Sequence, residues 1–586
     1  MNPREEYSRR LGQRRESLAQ YQRAHIRAGQ LRLGIFAIAA LMGWAWFYQG
    51  SFSAWWLTTP LVLFLVALGY HQRIMRRMEC ARRAVSFYER AIDRLDGKWA
   101  GHGESGARFR SSQHPYADDL DLFVPGGVFE LLSSARTRAG ENTLASWLMQ
   151  PATIETLLSR HQAIEELRNQ IDLREDLFVL GEDAAAGVNP DALTVWSRQP
   201  LVCVSRAQRA LLEALAAAGI VSLGFLLASE FLGFWQRIAM LVLVLVNLGV
   251  MFRYRRIVER IIGALEHPAQ DLALLSRVLE RIEREQFESP LLKRLREELE
   301  TGGDPASHRI ARLNRVVELI DSRDNFFVKM LEPVVLWTPQ LMFAVEAWRA
   351  RSAAYVPRWV AATGEIEAIA SLAGYAFEHP EDPFPELVAE PAFDAAGLAH
   401  PLLAGGVPND VRLDSSQPLL LVSGSNMSGK STLLRAAGVN TVLALAGAPV
   451  RARRLRIAAL HTGASIRVTD SLQDGSSRFY AEILRIRGIL DLPRPALFLL
   501  DELLHGTNSH DRKIGAEGIV KALLSRGAIG LVTTHDLALA DIAGARNVHF
   551  EDRIEKGQIL FDYRLREGVV EHSNALDLMR AVGLDV

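Results

Sequence analysis

The strongest constraint on the fold is a glycine-rich loop between an apolar strand and a helix, in the last third of the chain. Residues 419–445 read LLLVSGSNMSGKSTLLRAAGVNTVLAL. The pattern G-x-x-x-x-G-K-[ST] in this setting predicts a phosphate-binding loop, whose backbone N–H groups and following helix N-terminus attract phosphate. Lys430 is then placed for the β- and γ-phosphates, and the Ser431 hydroxyl for Mg²⁺. The predicted nucleotide-binding residues are Gly424, Ser425, Asn426, Met427, Ser428, Gly429, Lys430, Ser431 and Thr432.

Two further apolar strands end in residues suited to nucleotide hydrolysis. The segment ALFLLDE ends in Asp501 and Glu502, and AIGLVTTHD brings His535 to the end of the next strand. Asp501 is expected to hold Mg²⁺ through water, together with Ser431, and Glu502 to orient or deprotonate the attacking water. His535 is expected to hydrogen-bond the γ-phosphate. The three motifs predict an ATP hydrolase with ATP and Mg²⁺ as cofactors and with Glu502 and His535 as catalytic residues.

Length, composition and charge limit the classes of protein that remain possible. A length of 586 residues suggests several domains, and a hydrophobic fraction of 49% is enough to build their cores. The net charge of −1 excludes a global basic field, although a local basic surface for DNA remains compatible with it. The two cysteines, Cys80 and Cys203, form neither a disulfide framework nor a zinc motif.

Two pairs of apolar segments predict membrane hairpins. No charged residue occurs from Leu33 to Tyr70, and this stretch divides at residues 49–51; the second pair covers about 212–252. Four spans would leave both termini and the nucleotide-binding region in the cytoplasm, on a multi-pass protein of the inner (cytoplasmic) membrane. The alternative is that these hairpins are soluble core or a dimer interface. The arginines that flank the first hairpin are Arg23, Arg27, Arg32, Arg73, Arg76 and Arg77.

Several motifs together resemble the ATPase domain of the MutS family of mismatch-repair proteins. They are SGSNMSGKSTLLR, DSLQDGSSRFYAE (470–482), DELLHGTNSHD (501–511), TTHD and FDYRLREGVVEHSNAL (561–576). In the second motif Gly475, Ser477, Phe479 and Glu482 match the family signature, while Arg478 stands where threonine is usual. Gly406 stands where the family commonly has an aromatic residue that stacks on adenine, which leaves base recognition looser or supplied elsewhere.

The resemblance extends over about residues 115–586 and implies a domain organisation. Residues 1–110 form an N-terminal helical segment with the first hairpin, and residues 111–395 an all-α core and lever region interrupted by the second. Residues 396–586 form an α/β P-loop ATPase domain of the ABC/MutS type. No domain that recognises mismatches is found, and the tripeptide at residues 87–89, which mimics the family's Phe-x-Glu wedge, is interpreted as a chance likeness.

The resemblance also implies a mechanism. Gly475 and Ser477 would complete the nucleotide site of a partner subunit in trans, so that a homodimer closes on ATP and opens after hydrolysis. The chain is thus predicted to be a membrane-anchored, ATP-driven conformational switch. DNA remains a candidate partner, which arginine-rich helical arms would bind. The alternatives are a membrane ATPase acting on a protein or lipid, a soluble DNA-binding relative, and an ABC-type transporter. Steeply salt-dependent DNA affinity would favour DNA binding.

Overall fold

The computed structural model describes residues 2–50, 53–185, 189–201, 205–228, 234–425, 427–467, 478–504, 509–534, 542, 544–555 and 558–569. The chain forms two compact units. The first comprises Met1–Ser134, Glu141–Val179 and Ala368–Val586, and the second comprises Ala135–Gly140 and Leu180–Glu367. The chain is mostly helical, and both of its larger sheets lie in the C-terminal part.

The first unit begins with a long helical hairpin. Helix α1 (Pro3–Gln49) starts at Asn2, whose side chain accepts the backbone N–H of Arg4, and ends at Gly50, which has the left-handed backbone (φ 59°) typical of a helix C-terminus. Helix α2 (Thr58–Leu95) follows a short 3₁₀ turn and packs along α1. The apolar segments of the sequence are therefore the distal parts of two much longer helices.

The proximal ends of this hairpin pack into an aromatic core. Tyr7 of α1 and Tyr88 of α2 are fully buried, and Phe87 is nearly so. Phe178 and Phe377 complete the cluster. The tripeptide at residues 87–89 thus has a packing role, because its first two side chains belong to this core.

Further helices surround this core and build the second unit. Those of the first unit and the boundary are α3 (Val128–Leu132), α4 (Arg138–Met149), α5 (Ile154–Arg168), α6 (Ile171–Ala185) and α14 (Val356–Glu378). Those within the second unit are α7 (Pro190–Arg198), α8 (Arg206–Ala228), α9 (Phe234–Glu283), α10 (Pro290–Leu299), α11 (Ala306–Asp321), α12 (Phe326–Val335) and α13 (Trp337–Ser352). A small ribbon of β1 (Glu300–Thr301) and β2 (Asp304–Pro305) joins α10 to α11.

Helix α12 packs against both α8 and α9, an arrangement that the sequence did not predict. Gly219 of α8 lies so close that a Cβ there would be 2.0 Å from the carbonyl oxygen of Val334. Asn247 of α9 is fully buried and donates to the carbonyl oxygen of Pro333 at 2.8 Å. The last carbonyl groups of α12, which have no partner within their own helix, are therefore covered by the apolar pair α8 and α9.

The C-terminal part of the first unit contains two sheets. The smaller has the order β3 (Glu386–Val388), β7 (Arg454–Ala458), β4 (Ala392–Leu398), β5 (Asn409–Asp414). The larger has the order β12 (Gln558–Glu567), β11 (Ala545–Glu555), β6 (Leu419–Ser423), β10 (Ile529–Thr533), β9 (Ala496–Asp501), β8 (His461–Ser465). Helices α15 (Lys430–Ala446), α16 (Arg478–Leu490) and α17 (Ser509–Ser525) accompany it.

The larger sheet fixes the position of the candidate site. Its strands are parallel from β11 to β8, and only β12 is antiparallel. Strands β6, β9 and β10 are almost continuously buried and apolar, as expected for parallel strands covered on both faces. Their carboxyl ends meet at one edge of the sheet, which is where α/β proteins bind ligands.

Three helices in the described part of the chain are long and apolar enough to cross a membrane, judged by length and composition. The segments are Pro3–Tyr48, Ala207–Phe225 and Arg237–Glu283. Their apolar windows are almost entirely exposed, with 0, 17 and 6% of residues buried. Helix α2 is not among the three, because polar residues follow from His71.

Candidate functional site

The loop between β6 and α15 has the geometry of a phosphate-binding loop. Gly424 (φ 146°) and Gly429 (φ 105°) adopt backbone conformations that other residues rarely reach. A Cβ on Gly424 would lie 2.9 Å from the Ser428 hydroxyl and 3.1 Å from the carbonyl oxygen of Phe550. Helix α15 begins at Lys430, so its N-terminal N–H groups open onto the loop.

The side chain of Lys430 hydrogen-bonds to the backbone of this loop. Its ammonium group donates to the carbonyl oxygens of Gly424 at 2.8 Å and Ser425 at 2.9 Å. The residue is only 5% exposed, and burial lowers the pKa of the ammonium group, while Glu502 and Asp501 act in the opposite direction. The nearest Glu502 carboxylate oxygen lies 3.9 Å away. The ammonium group thus lies at the loop, where a bound phosphate would compete for it with the carbonyl oxygens and with Glu502.

Two serine hydroxyl groups in the loop are buried without a partner. The hydroxyl oxygens of Ser425 and Ser428 make no hydrogen bond to any described residue, although Ser428 is only 1% exposed. Buried polar groups without a partner are uncommon and mark a ligand or water position. Ser425 lines a cavity of about 570 Å³ together with Ser431 and Thr432 in the first turn of α15.

The ends of β9 and β10 are joined by Thr533, which is fully buried. Its hydroxyl donates to the Asp501 carboxylate and accepts the backbone N–H of Glu502 at 3.0 Å. Glu502 has a left-handed backbone (φ 50°), a conformation that costs a non-glycine residue of order 1–3 kcal/mol and clusters at functional sites. The side chain of Glu502 lines the cavity, facing Lys430. The predicted metal ligand and the predicted base are thus held by one hydroxyl.

The described residues contain no group of three or more His, Cys, Asp or Glu side chains able to hold a metal ion. The predicted ligands Ser431 and Asp501 are one hydroxyl and one carboxylate. This donor set fits Mg²⁺ in a P-loop site, where water and phosphate oxygens supply most of the ligands.

A family model for MutS domain V matches residues 420–585, which include the loop, both carboxylates and β12. The C-terminal part of the chain is therefore similar to domain V of MutS proteins. It is 33% identical over 190 residues to the DNA mismatch repair protein MutS of Oleidesulfovibrio alaskensis, covering 31% of this chain and 21% of that protein. It is 34% identical over 194 residues to the endonuclease MutS2 of Thermus thermophilus, covering 32% and 25%.

A third relative extends the similarity slightly. The DNA mismatch repair protein MutS of Natronomonas pharaonis is 29% identical over 239 residues, covering 38% of this chain and 27% of that protein. The chain therefore spans about a fifth to a quarter of the length of the curated relatives it matches. Most of this chain and most of each relative lie outside these matches.

The structure of this MutS-like domain adds a residue that the sequence analysis did not identify. Tyr563 lies at a bulge of β12, where residues 562–564 stand opposite a single residue of β11. Asn409 fixes the bulge: its side-chain amide donates to the Tyr563 carbonyl oxygen at 2.9 Å and accepts the N–H of Leu565 at 2.7 Å. The Tyr563 ring lies 3.3 Å from the position a Cβ on Gly429 would take, and it lines the cavity together with Gly406.

Glu482 and His400 also lie at this site of the MutS domain. Glu482 matches the family signature, and its buried carboxylate accepts the N–H of Leu504 at 2.7 Å, which fixes the turn after Glu502. His400 lines the cavity, and burial followed by the nearby Arg435 lowers the pKa of its imidazole to about 4. His400 is therefore neutral at neutral pH.

A short segment before α3 runs along the edge of the larger sheet. We name residues 112–121 the strap. The Pro115 carbonyl oxygen accepts the N–H of Ala464 in the edge strand β8 at 2.8 Å. The buried Asp119 carboxylate accepts the N–H groups of Ile466 and Arg467, both at 2.8 Å. The strap thus holds the chain just before the predicted signature.

The strap also contacts α16, which follows the predicted signature, and α15, which follows the glycine-rich loop. Arg485 of α16 donates to the carbonyl oxygens of His114 at 2.7 Å and Ser112 at 3.2 Å. Asp121 pairs with Arg435 of α15 at 3.1 Å. A prediction from sequence was out of reach here, because the partners lie more than three hundred residues apart.

Four predicted site residues lie outside the described part of the chain. They are Asn426 in the loop, Gly475 and Ser477 in the signature, and His535 after β10. Of the others, Ser425, Met427, Gly429, Lys430, Ser431, Thr432 and Glu502 line one cavity. Gly424, Ser428 and Asp501 do not line it, although Asp501 is linked to the Glu502 backbone through Thr533. Met427, in the same loop, is 85% exposed with a left-handed backbone (φ 69°).

Proposed function

We propose that the MutS-like domain binds ATP with Mg²⁺ and hydrolyses it. The observation that carries this proposal is the pair of buried, unpartnered hydroxyl groups of Ser425 and Ser428 beside the ammonium group of Lys430. Two donors and one cation converge on a helix N-terminus, and this is the chemistry that a polyphosphate needs.

Each residue then has a defined task in the reaction. The loop N–H groups and Lys430 neutralise the β- and γ-phosphates, and Ser431 and Asp501 would hold Mg²⁺, which neutralises charge on the transferred phosphoryl group. Glu502 orients water and accepts its proton as the oxygen attacks the γ-phosphorus and the bond to ADP breaks. His535 donates a hydrogen bond to the γ-phosphate. The Tyr563 ring, above Gly429, supplies an aromatic face for adenine in place of a side chain at Gly406.

The apolar surfaces of the chain support membrane anchoring. Apolar side chains on the distal part of this hairpin are largely exposed, among them Phe47 of α1 at 74% and Trp55 of the connecting 3₁₀ turn at 80%. A soluble monomer rarely exposes a continuous apolar surface of this extent. We propose that the hairpins α1–α2 and α8–α9 lie in the inner membrane, with the ATPase domain in the cytoplasm, and that ATP drives a conformational switch of a homodimer.

A mixing experiment tests whether the nucleotide sites are shared between subunits. Ser477→Ala and Lys430→Ala chains are each expected to be inactive alone. Mixed, they should recover up to about a quarter of wild-type turnover, because half of the dimers are mixed and each has one intact site of two. The matched control mixes Ser477→Ala with the Lys430→Ala/Ser477→Ala double variant, which restores no site. Equal turnover in both mixtures would mean that each chain acts alone.

The relatives named DNA mismatch repair proteins favour DNA as a second candidate partner. If the switch acts on a protein or lipid, we expect steady ATP turnover by the detergent-solubilised chain that homoduplex, mismatched and branched DNA leave unchanged. DNA that binds with steep salt dependence and raises turnover would replace it with a membrane-tethered DNA-processing protein. Glu502→Gln is the background control, because turnover that persists in this variant comes from a contaminant.

A further inference from the structure

The base of the first hairpin carries a concentrated and unbalanced positive charge. Between Ser17 and Met78 the chain has six arginines and no Asp or Glu. We name these six the arginine collar: Arg23, Arg27 and Arg32 on α1, and Arg73, Arg76 and Arg77 on α2. Because α1 and α2 pack side by side, the two groups lie on one structure directly below the apolar part of the hairpin.

At the top of the arginine collar, Arg32 is held by uncharged side chains. Arg32 donates to Nδ1 of His71 at 2.7 Å. Since arginine has only donors, His71 accepts at Nδ1 and donates from Nε2 to Nδ1 of His25, 2.9 Å away. The Arg32 guanidinium also lies 5.5 Å from the ring centre of Phe64, while its buried Nε atom makes no hydrogen bond in the described structure. A positive charge is thus held at the apolar boundary without a counter-charge.

The depth of the arginine collar matches a lipid headgroup layer. With a rise of 1.5 Å per residue, Arg73 lies about 3 Å below the level of His71, and Arg76 and Arg77 about 8–9 Å below it. On α1, Arg27 lies about 8 Å and Arg23 about 14 Å below Arg32. Headgroups occupy roughly 5–8 Å on each side of the hydrocarbon layer, and charges act over a further ~8 Å in physiological salt. Most of the six charges therefore fall within reach of lipid phosphates.

Neighbouring arginines show that pairing with carboxylates is the rule just outside this zone. Arg15 pairs with Glu89 at 2.7 Å, and Arg83 with Glu79 at 3.3 Å. In the described structure none of the six collar arginines makes such a pair. An ordinary solvated helix face in this protein mixes both signs, and the arginine collar does not. Its missing counter-charge indicates an external anion.

We propose that the arginine collar binds the phosphate groups of anionic phospholipids. The proposal rests on the membrane anchoring of α1–α2 inferred above and adds a lipid specificity to it. Orientation by the positive-inside rule requires only a surplus of basic residues. The arginine collar goes further, because it occurs on both helices and its segments contain no acidic residue. A phosphodiester is the anion that the apolar surface above would bring to this depth.

Binding of fluorescent phosphatidylglycerol and phosphatidylcholine to the detergent-solubilised full-length chain tests the proposal. Wild type is expected to prefer phosphatidylglycerol, and inorganic phosphate at matched concentration should not compete. Arg27→Gln with Arg73→Gln should lower the affinity for phosphatidylglycerol by about tenfold, and leave phosphatidylcholine unchanged. The matched control is Arg412→Gln with Arg454→Gln, two exposed arginines of the ATPase domain, which should change neither.

Flotation with pure phosphatidylcholine vesicles separates the two proposals. A chain that floats but binds both lipids equally, or whose collar variant keeps its lipid preference, overturns lipid recognition and leaves the anchor in place. Competition by inorganic phosphate would identify a general phosphate site and also overturn it. A wild-type chain that does not float overturns the anchor and the lipid site together.

Discussion

Replacing Lys430 with alanine is expected to weaken ATP binding by about a hundredfold. The phosphates lose the Lys430 ammonium group, which is their positively charged partner in the loop. A hydrogen bond to a charged group contributes about 1.5–3 kcal/mol. The substitution also leaves the carbonyl oxygens of Gly424 and Ser425 without their donor, so the loop itself loses an internal constraint. Titration of the purified chain with a fluorescent ATP analogue measures the affinity.

Two comparisons make this result specific to the phosphate site. Lys521→Ala removes an exposed lysine of α17 that pairs only with Glu517 on its own helix, and should leave ATP affinity unchanged. The thermal unfolding midpoint of Lys430→Ala without nucleotide should stay near that of wild type, which shows that the domain is still folded. ATP affinity within about threefold of wild type would remove Lys430 from the phosphate site.

Replacing Glu502 with glutamine should abolish most turnover while ATP still binds. General-base catalysis contributes about 10²- to 10⁴-fold, and an amide cannot accept the proton of the attacking water. The substitution keeps the shape of the side chain, and the bond from the Glu502 N–H to Thr533 is a backbone bond that survives. Single-turnover hydrolysis, measured beside nucleotide affinity, separates the chemical step from binding.

A matched carboxylate tests whether the effect belongs to position 502. Glu517→Gln changes a partly exposed glutamate of α17 in the same domain and should leave kcat unaltered. Loss of ATP binding in Glu502→Gln would mean that the residue supports the loop through Lys430 and not the chemistry. A kcat within about fivefold of wild type would mean that another group activates the water.

The sequence predicted those parts of the site that depend on local pattern. The strand Leu419–Ser423 and the helix Lys430–Ala446 lie on either side of the glycine-rich segment as predicted, because the apolar strand and the helix pattern lie within one short segment. The same holds for the end of β9 and for the break in the first hairpin, where Gly50 ends α1. Local signals of this kind need no knowledge of the tertiary structure.

Features that depend on distant partners were not predictable. The position of Tyr563 requires a bulge in β12 that Asn409 holds from more than a hundred and fifty residues away. Glu482 was matched as part of a motif, yet its hydrogen bond to Leu504 follows only from the packing of α16 beside β9. Likewise, the carbonyl groups of α12 that Asn247 covers give no periodic signal. In each case, a single polar contact across the fold decides the geometry.

The strap has a consequence for the entropy of the signature segment. It binds the chain at Ile466 and Arg467 on one side and at Arg485 on the other, so both ends of the intervening stretch are already held close together. Bringing the ends of a free loop of this length together costs about 2–3 kcal/mol. The contacts of the strap offset this cost within the chain itself, so a partner that binds near both anchoring points need not supply it from its own contact energy.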